Sequence, residues 1–242
     1  MQTLPLTGLI DRRILLNFRA DPAVVARLLP APFRPQLVQG YAMVGICLIR
    51  LRNERLNGLP AFLGLTSENG AHRFAVEWDV AGQPQSGVFI PRRDTSSRIN
   101  QLVGNLYLGI HHHSHFQTNE TDGSYAITLH SPDGTNLTVA ARETADWPVT
   151  SVFANVEQAS AFFRQGAVGY SPQAAGQGYN GVQLTTPQWQ VSPLAVTQVS
   201  SSYFSNERLF PAGSVLFDNA LLMRNVAHSW QRLPTIIGKA GA

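Results

Sequence analysis

The chain has 242 residues and a mass of 26.4 kDa, and 44% of it is apolar, enough to bury a substantial core. Only 14% is charged, net charge is +3, and the basic set is lopsided: Lys239 is the one lysine beside seventeen arginines. Phosphate loops of the Gly-Lys-Ser/Thr type and internal Schiff-base lysines are thereby excluded. The basic residues are scattered, with only Arg12-Arg13 and Arg92-Arg93 adjacent, so no nucleic-acid footprint is expected. Cys47 is the sole cysteine, which excludes an intrachain disulfide and a Cys-rich zinc site. No basic leader and no run of about 18 apolar residues is present, so a cytoplasmic protein without a membrane partner is expected.

In chain order, Asp21-Pro22 opens a short helix that Pro30, Pro32 and Pro35 stop. Gln39 to Arg52 is almost wholly apolar and predicts a strand covered on both faces. Arg73 to Val80 alternates, with Phe74, Val76, Trp78 and Val80 on one face and Arg73, Ala75, Glu77 and Asp79 on the other. Ala81-Gly82-Gln83-Pro84 turns it into a second strand, Ser86 to Pro91. Thr95 to Asn105 predicts a short helix, Tyr107 to Thr118 and Ser124 to Ser131 predict strands, and Asp133-Gly134 turns into a strand from Leu137 to Glu143.

Asn155, with Gln158 three residues on and Gly166 beyond, brackets a helix with Ala159, Phe162 and Phe163 as its buried stripe. Gln165 to Asn206 carries no charge, which points to burial against the body or against a partner subunit and leaves a homo-oligomer open. Val215 to Trp230 reads as a strand leading into a helix, and the tail around Lys239 as frayed. Strands outnumber helices and no βαβ rhythm appears. The expected fold is α+β, mostly antiparallel β, as a single domain over 1–242 with its body at about 10–232.

The run His111-His112-His113-Ser114-His115 is the most unusual feature. On one strand His111, His113 and His115 would share a face. Such a face can offer imidazoles to zinc, but same-face residues stand nearly 7 Å apart, so three converge poorly on one ion. Lining a polar cavity or bonding within the sheet outweighs a native metal site, and no cofactor is called for. Glu68 to Arg73 is a second candidate segment; its ordinary role is a turn entering a strand. Arg73 can hold a carboxylate by a bidentate pair, or it can sit with Glu77 and Asp79 on a solvated strand face. Arg93, beside a predicted helix start, can bind an anion, while Asp94 or Thr95 caps that helix. No Gly-x-Ser-x-Gly elbow or dinucleotide fingerprint is present.

Several segments in this order carry a resemblance: Leu28-Leu29-Pro30, Gly40 to Ile46, Glu68-Asn69 with Arg73, Gly87-Val88-Phe89, Ala161-Phe162-Phe163, Gly169-Tyr170-Ser171-Pro172 and Leu216-Phe217-Asp218-Asn219. Together they resemble an uncharacterised bacterial family of the acetoacetate decarboxylase-like superfamily. The resemblance implies a cone-like antiparallel β-barrel flanked by a few helices, with a cavity for a small polar or anionic molecule. It also implies that His112 and His113 fall near the position of that superfamily's catalytic lysine pair, and that Glu68 or Glu77 corresponds to a pocket glutamate. The amine itself is missing. A histidine can move protons but cannot form the imine that serves as electron sink. The expectation is a ligand-binding barrel with Glu68, Glu77, His113 and His115 as acid–base candidates and Arg73, Arg93, His111 and His112 as ligand contacts. It would be lyase-, isomerase- or hydratase-like on an oxo acid, and no Schiff-base decarboxylase. The alternatives are a non-catalytic binding or structural protein and a metal enzyme using His111, His113 and His115.

Overall fold

Long strands make the frame. The computed structural model describes residues 5–174 and 178–237, apart from the side chains of Leu106 and Tyr107. The chain runs β1 (Leu6–Ala20), α1 (Pro22–Leu28), β2 (Arg34–Pro35), β3 (Leu37–Val38), β4 (Tyr41–Leu56), β5 (Leu65–Val80), β6 (Gln83–Thr95) and α2 (Arg98–Tyr107). It continues through β7 (His111–His113), β8 (His115–Thr121), β9 (Ser124–His130), β10 (Asn136–Glu143), α3 (Val156–Arg164), β11 (Val168–Pro172), β12 (Gly178–Thr185), β13 (Ser192–Ser201) and β14 (Val215–Ile237). The residues around Lys239 lie outside the described ones.

Seven strands close on themselves in the order β1-β4-β5-β6-β11-β12-β14, with β14 pairing back onto β1. Closure removes the free edges that an open sheet would expose. Neighbours in this ring are antiparallel except β11, which runs parallel to β6. A second sheet, β13-β10-β9-β8, branches off where Ser192 and Pro193 pair with Leu222 and Leu221 of β14. The mostly antiparallel α+β barrel expected from the sequence is the fold observed.

The shared strands are buried on both faces. Along β1, Ile14, Leu16 and Phe18 join a core with Tyr125, Ile127 and Leu129 of the second sheet. Ile10 and Leu15 join another core with Met43, Cys47 and the α3 residues Ala159 and Phe163. Capping sets the helices. Asp21 Oδ1 accepts from Ala23 N at 2.7 Å to start α1. Asn155 Oδ1 accepts from Gln158 N at 2.9 Å while Gln158 Oε1 accepts from Ala154 N at 3.0 Å to start α3. Ser97 rather than Thr95 caps α2.

Four features depart from the sequence reading. β1 is a full strand where none was anticipated. Val215 to Trp230 does not turn into a helix; β14 stays extended for 23 residues because β1, β12 and β13 all pair with it. The predicted strand from Tyr107 to Thr118 is broken. Tyr107 ends α2, and the strand begins only at His111. Ser114 then interrupts it: its N–H donates to Thr95 O at 2.9 Å and its hydroxyl donates to Asp94 Oδ1 at 2.8 Å. β7 thus runs beside β6, and β8 departs into the second sheet. The charge-free stretch resolves into β11, β12 and β13, and the first two close the barrel. Residues 175–177 of it lie outside the described ones.

Candidate active site

The registers of β1, β4, β5 and β6 bring three arginines and the cysteine onto one face. Cys47 lies opposite Leu15 on one side and Ala71 on the other, and Ala71 lies opposite Arg93. Arg13 stands two residues from Leu15, and Arg73 two residues from Ala71, so the period of two puts both on that same face. These residues line a cavity of about 150 Å³, roughly ten times what one water requires. Ile49, Val88, Ile90, Val182 and Trp230 supply apolar wall, and Val103, Gly104 and Leu108 close it from the α2 side.

Each arginine is held by a neutral partner. Arg13 Nε donates to Cys47 Sγ at 3.3 Å, Arg73 Nη2 donates to Asn17 Oδ1 at 2.8 Å, and Arg93 Nε donates to Ser171 Oγ at 3.0 Å. Asn17 is itself fixed by donating to Asn219 Oδ1 at 2.8 Å. Arg73 also lies over the Phe163 ring and Arg13 over Trp189. Among the described residues none of the three is ion-paired with a carboxylate. Arg13 Nη1 and Arg93 Nη2 are enclosed without any hydrogen-bond partner. Burial, with Arg13 nearby, pulls the Arg73 guanidinium down to about 10, and burial does the same to Arg93.

The two carboxylates that reach the cavity wall are already taken. Asp94 receives Arg92 Nη2 at 2.7 Å and the Ser114 hydroxyl, and Glu54 Oε2 meets His228 Nε2 at 2.9 Å. His111 lines the cavity beside Arg93, its register partner on β6. Its Nδ1 lies 2.7 Å from Gly109 O, which can only accept, so Nδ1 carries the proton and Nε2 keeps a lone pair. Burial first and Arg93 second push its pKa down to about 4, so the ring is neutral at pH 7. Gly104 makes room for it: a Cβ there would meet ring atoms at 2.5–2.7 Å.

Of the residues singled out in the sequence, the structure brings Arg73, Arg93 and His111 together and places the others elsewhere. Glu68 is bound to Arg12 at 2.6 Å and also engages Arg50. Glu77 sits half-buried by Arg34 at 3.5 Å. His112 Nδ1 is 3.6 Å from Asp133. His113 is half-buried opposite Thr95, and His115 is exposed on β8 opposite His130. The break at Ser114 sends His115 into the second sheet, away from His111 and His113. Among the described residues no group of three or more His, Cys, Asp or Glu could hold a metal ion. Arg13, Cys47, Glu54, His228 and Trp230 escaped the sequence reading. The available signal was the charged trio Asp11-Arg12-Arg13 set between Ile10 and the apolar run Ile14 to Leu16.

Residues 10–220 match the DUF2071 family, described as "Uncharacterized conserved protein (COG2071)". The chain belongs to this family. No curated protein matches it in sequence. Among solved structures, the enduracididine biosynthesis enzyme MppR complexed with pyruvate aligns at TM-score 0.60 and 10% identity, over 98% of this chain and 91% of its own. An acetoacetate decarboxylase-like enzyme from Sphingomonas wittichii RW1 aligns at 0.60 and 12% identity, over 95% and 92%. Acetoacetate decarboxylase from Legionella pneumophila aligns at 0.60 and 9% identity, over 96% and 88%. At these identities the likeness is one of fold. This DUF2071 chain has the acetoacetate decarboxylase-like architecture.

Proposed function

We propose that this DUF2071 protein binds a small carboxylate-bearing molecule of the 2-oxo acid type, with the carboxylate seated among Arg13, Arg73 and Arg93. The observation that carries this reading is three cavity guanidiniums with no acidic partner. A buried cation without a counter-charge costs stability, and an anionic ligand would supply what the fold withholds. The apolar walls suit the rest of a small oxo acid. The likeness to a fold whose member MppR is described in complex with pyruvate supports the size and class of ligand.

Among the described residues no lysine lines the cavity, so none of them offers an amine for imine chemistry. The proton-moving groups on or behind its wall are His111 Nε2 and the Glu54–His228 pair. In a lyase-, isomerase- or hydratase-like reaction they would take and return a proton next to the ligand carbonyl while the arginines hold the carboxylate. A second reading is binding without turnover. The low pKa of His111 favours it, because a ring that resists protonation down to about 4 is a weak base.

Calorimetry at pH 7 with pyruvate, and with acetone as its uncharged counterpart, tests the ligand class. Pyruvate should bind and acetone should not; equal binding, or none by either, rejects the anion site. Deuterium uptake into the pyruvate methyl group, followed by NMR, separates the two readings. Uptake faster than in buffer supports catalysis, and its absence with binding intact supports a binding protein.

A further inference from the structure

We propose that Cys47 is a nucleophile of this cavity, aimed at an electrophilic carbon of the anion that the arginines hold; the inference rests on the anion site proposed above. Three observations carry it. Cys47 is 8% exposed and lines the cavity. Its sulfur is not sealed in apolar packing, since it accepts a hydrogen bond from Arg13 Nε. The same guanidinium, on a residue only 5% exposed, keeps Nη1 enclosed and unpartnered on the wall of that cavity. A buried donor without an acceptor calls for an explanation, and an oxygen of a ligand bound in this cavity would supply one. Arg13 therefore points one nitrogen at the sulfur and keeps another free for the ligand. Arg73 and Arg93 line the same cavity as Cys47.

A carboxylate bound to these arginines thus has its neighbouring carbon presented to sulfur. With a 2-oxo acid, sulfur adds to the ketone carbon. The S–C bond forms, the C=O π bond opens, and the thiol proton passes to that oxygen, giving a reversible thiohemiketal. With a haloacetate, the S–C bond forms as the carbon–halogen bond breaks; halide leaves and the proton goes to water. Neither step needs an oxidant or a metal.

Competitive alkylation tests this. Iodoacetate and iodoacetamide differ in the carboxylate alone, and Cys47 is the only cysteine, so intact mass reports the site directly. Native protein should react with iodoacetate at least about tenfold faster than with iodoacetamide, the worth of one charge-assisted hydrogen bond. The unfolded chain should show no such preference, and pyruvate should slow the native reaction. Arg73→Met should abolish the preference; if that variant fails to fold, pyruvate protection of the wild type carries the test. No native labelling, or equal rates with both reagents, while pyruvate still binds by calorimetry, overturns the role of Cys47 and leaves the anion site standing. Equal rates with no pyruvate binding overturn both.

Discussion

Two adjacent arginine pairs, Arg12-Arg13 and Arg92-Arg93, show how one strand serves two faces. The first member of each pair is ion-paired with two acids: Arg12 with Glu68 and Glu120, and Arg92 with Asp94 and Asp133. The second member of each faces the cavity and has no acid at all. Strand geometry sends neighbours to opposite sides, so identical residues one step apart meet opposite electrostatics. On one side charge is satisfied within the fold. On the other it is left for something the fold does not contain. Glu68, one of the two acids singled out in the sequence, belongs to the satisfied side, bound to Arg12 and Arg50.

The satisfied side should break hardest. The Asp94 side chain is fully buried and receives a two-nitrogen fork from Arg92 as well as the Ser114 hydroxyl. Asp94→Ala removes one partner and leaves a buried charge short of its counterpart, which costs about 3–5 kcal/mol. Urea unfolding measures it. A loss below about 1 kcal/mol would mean that Asp133 alone satisfies Arg92, and the contrast between the faces would weaken.

Each side also presses a histidine. His72 is buried on the Arg92 side, and burial first, then Arg92, hold its pKa at about 3. His111 is held at about 4 in the same way, with Arg93 second. Both values lie below the unfolded value of about 6.5. Their contribution is therefore complete above pH 6.5 and is lost as pH falls toward the folded pKa, because the unfolded chain takes up protons first. Each ring contributes a slope of about 1.4 kcal/mol per pH unit in that window. His72→Leu should remove one such slope from stability measured between pH 6 and pH 4. Saturating pyruvate should move only His111 upward, by neutralising Arg93, as followed by imidazole NMR. A shift of His72 instead would place the anion on the wrong face.

Binding comes next in size. Arg73→Met keeps side-chain bulk but removes one charge-assisted contact worth about 1.5–3 kcal/mol, so pyruvate affinity should fall at least about tenfold by calorimetry. An unchanged affinity would remove Arg73 from the site.

How much of this was readable beforehand follows from the same two-sidedness. The caps at Asp21 and Asn155 and the turn between β5 and β6 are local chemistry, and the structure has them where their residues stand. The ordered motifs supported the family and barrel over most of the chain. β1 was missed because a strand buried on both faces shows no alternation to read. Cys47 vanished into an apolar run for the same reason, and Arg13 was read only as part of an adjacent basic pair. The histidine run misled because periodicity assumes one continuous strand. The interruption at Ser114 depends on Asp94 and Thr95, which are distant in sequence. β14 depends on three partners far along the chain, and no local signal announces them.

The smallest expected effect is the most diagnostic of the contrast, because it has the opposite sign. Arg73→Met gives up the hydrogen bond to Asn17, worth about 1 kcal/mol net. It also relieves the burial of a guanidinium that no carboxylate answers, a burial strong enough to pull its pKa down to about 10. A thioether of similar length can pack against Phe163 without desolvating a charge. The two terms nearly cancel, so ligand-free stability should stay within about 1 kcal/mol of wild type or rise slightly, while Arg92→Met on the satisfied side should fall by about 3 kcal/mol or more as Asp94 loses its partner. Paired urea titrations without ligand make the comparison. Pyruvate at free concentration L should then stabilise the wild type by RT ln(1 + L/Kd) and stabilise Arg73→Met less, by the same fold-change in Kd. If both arginine variants lose the same stability, the cavity arginines are structural members like their neighbours, and the division of the strand into a closed side and an open side fails.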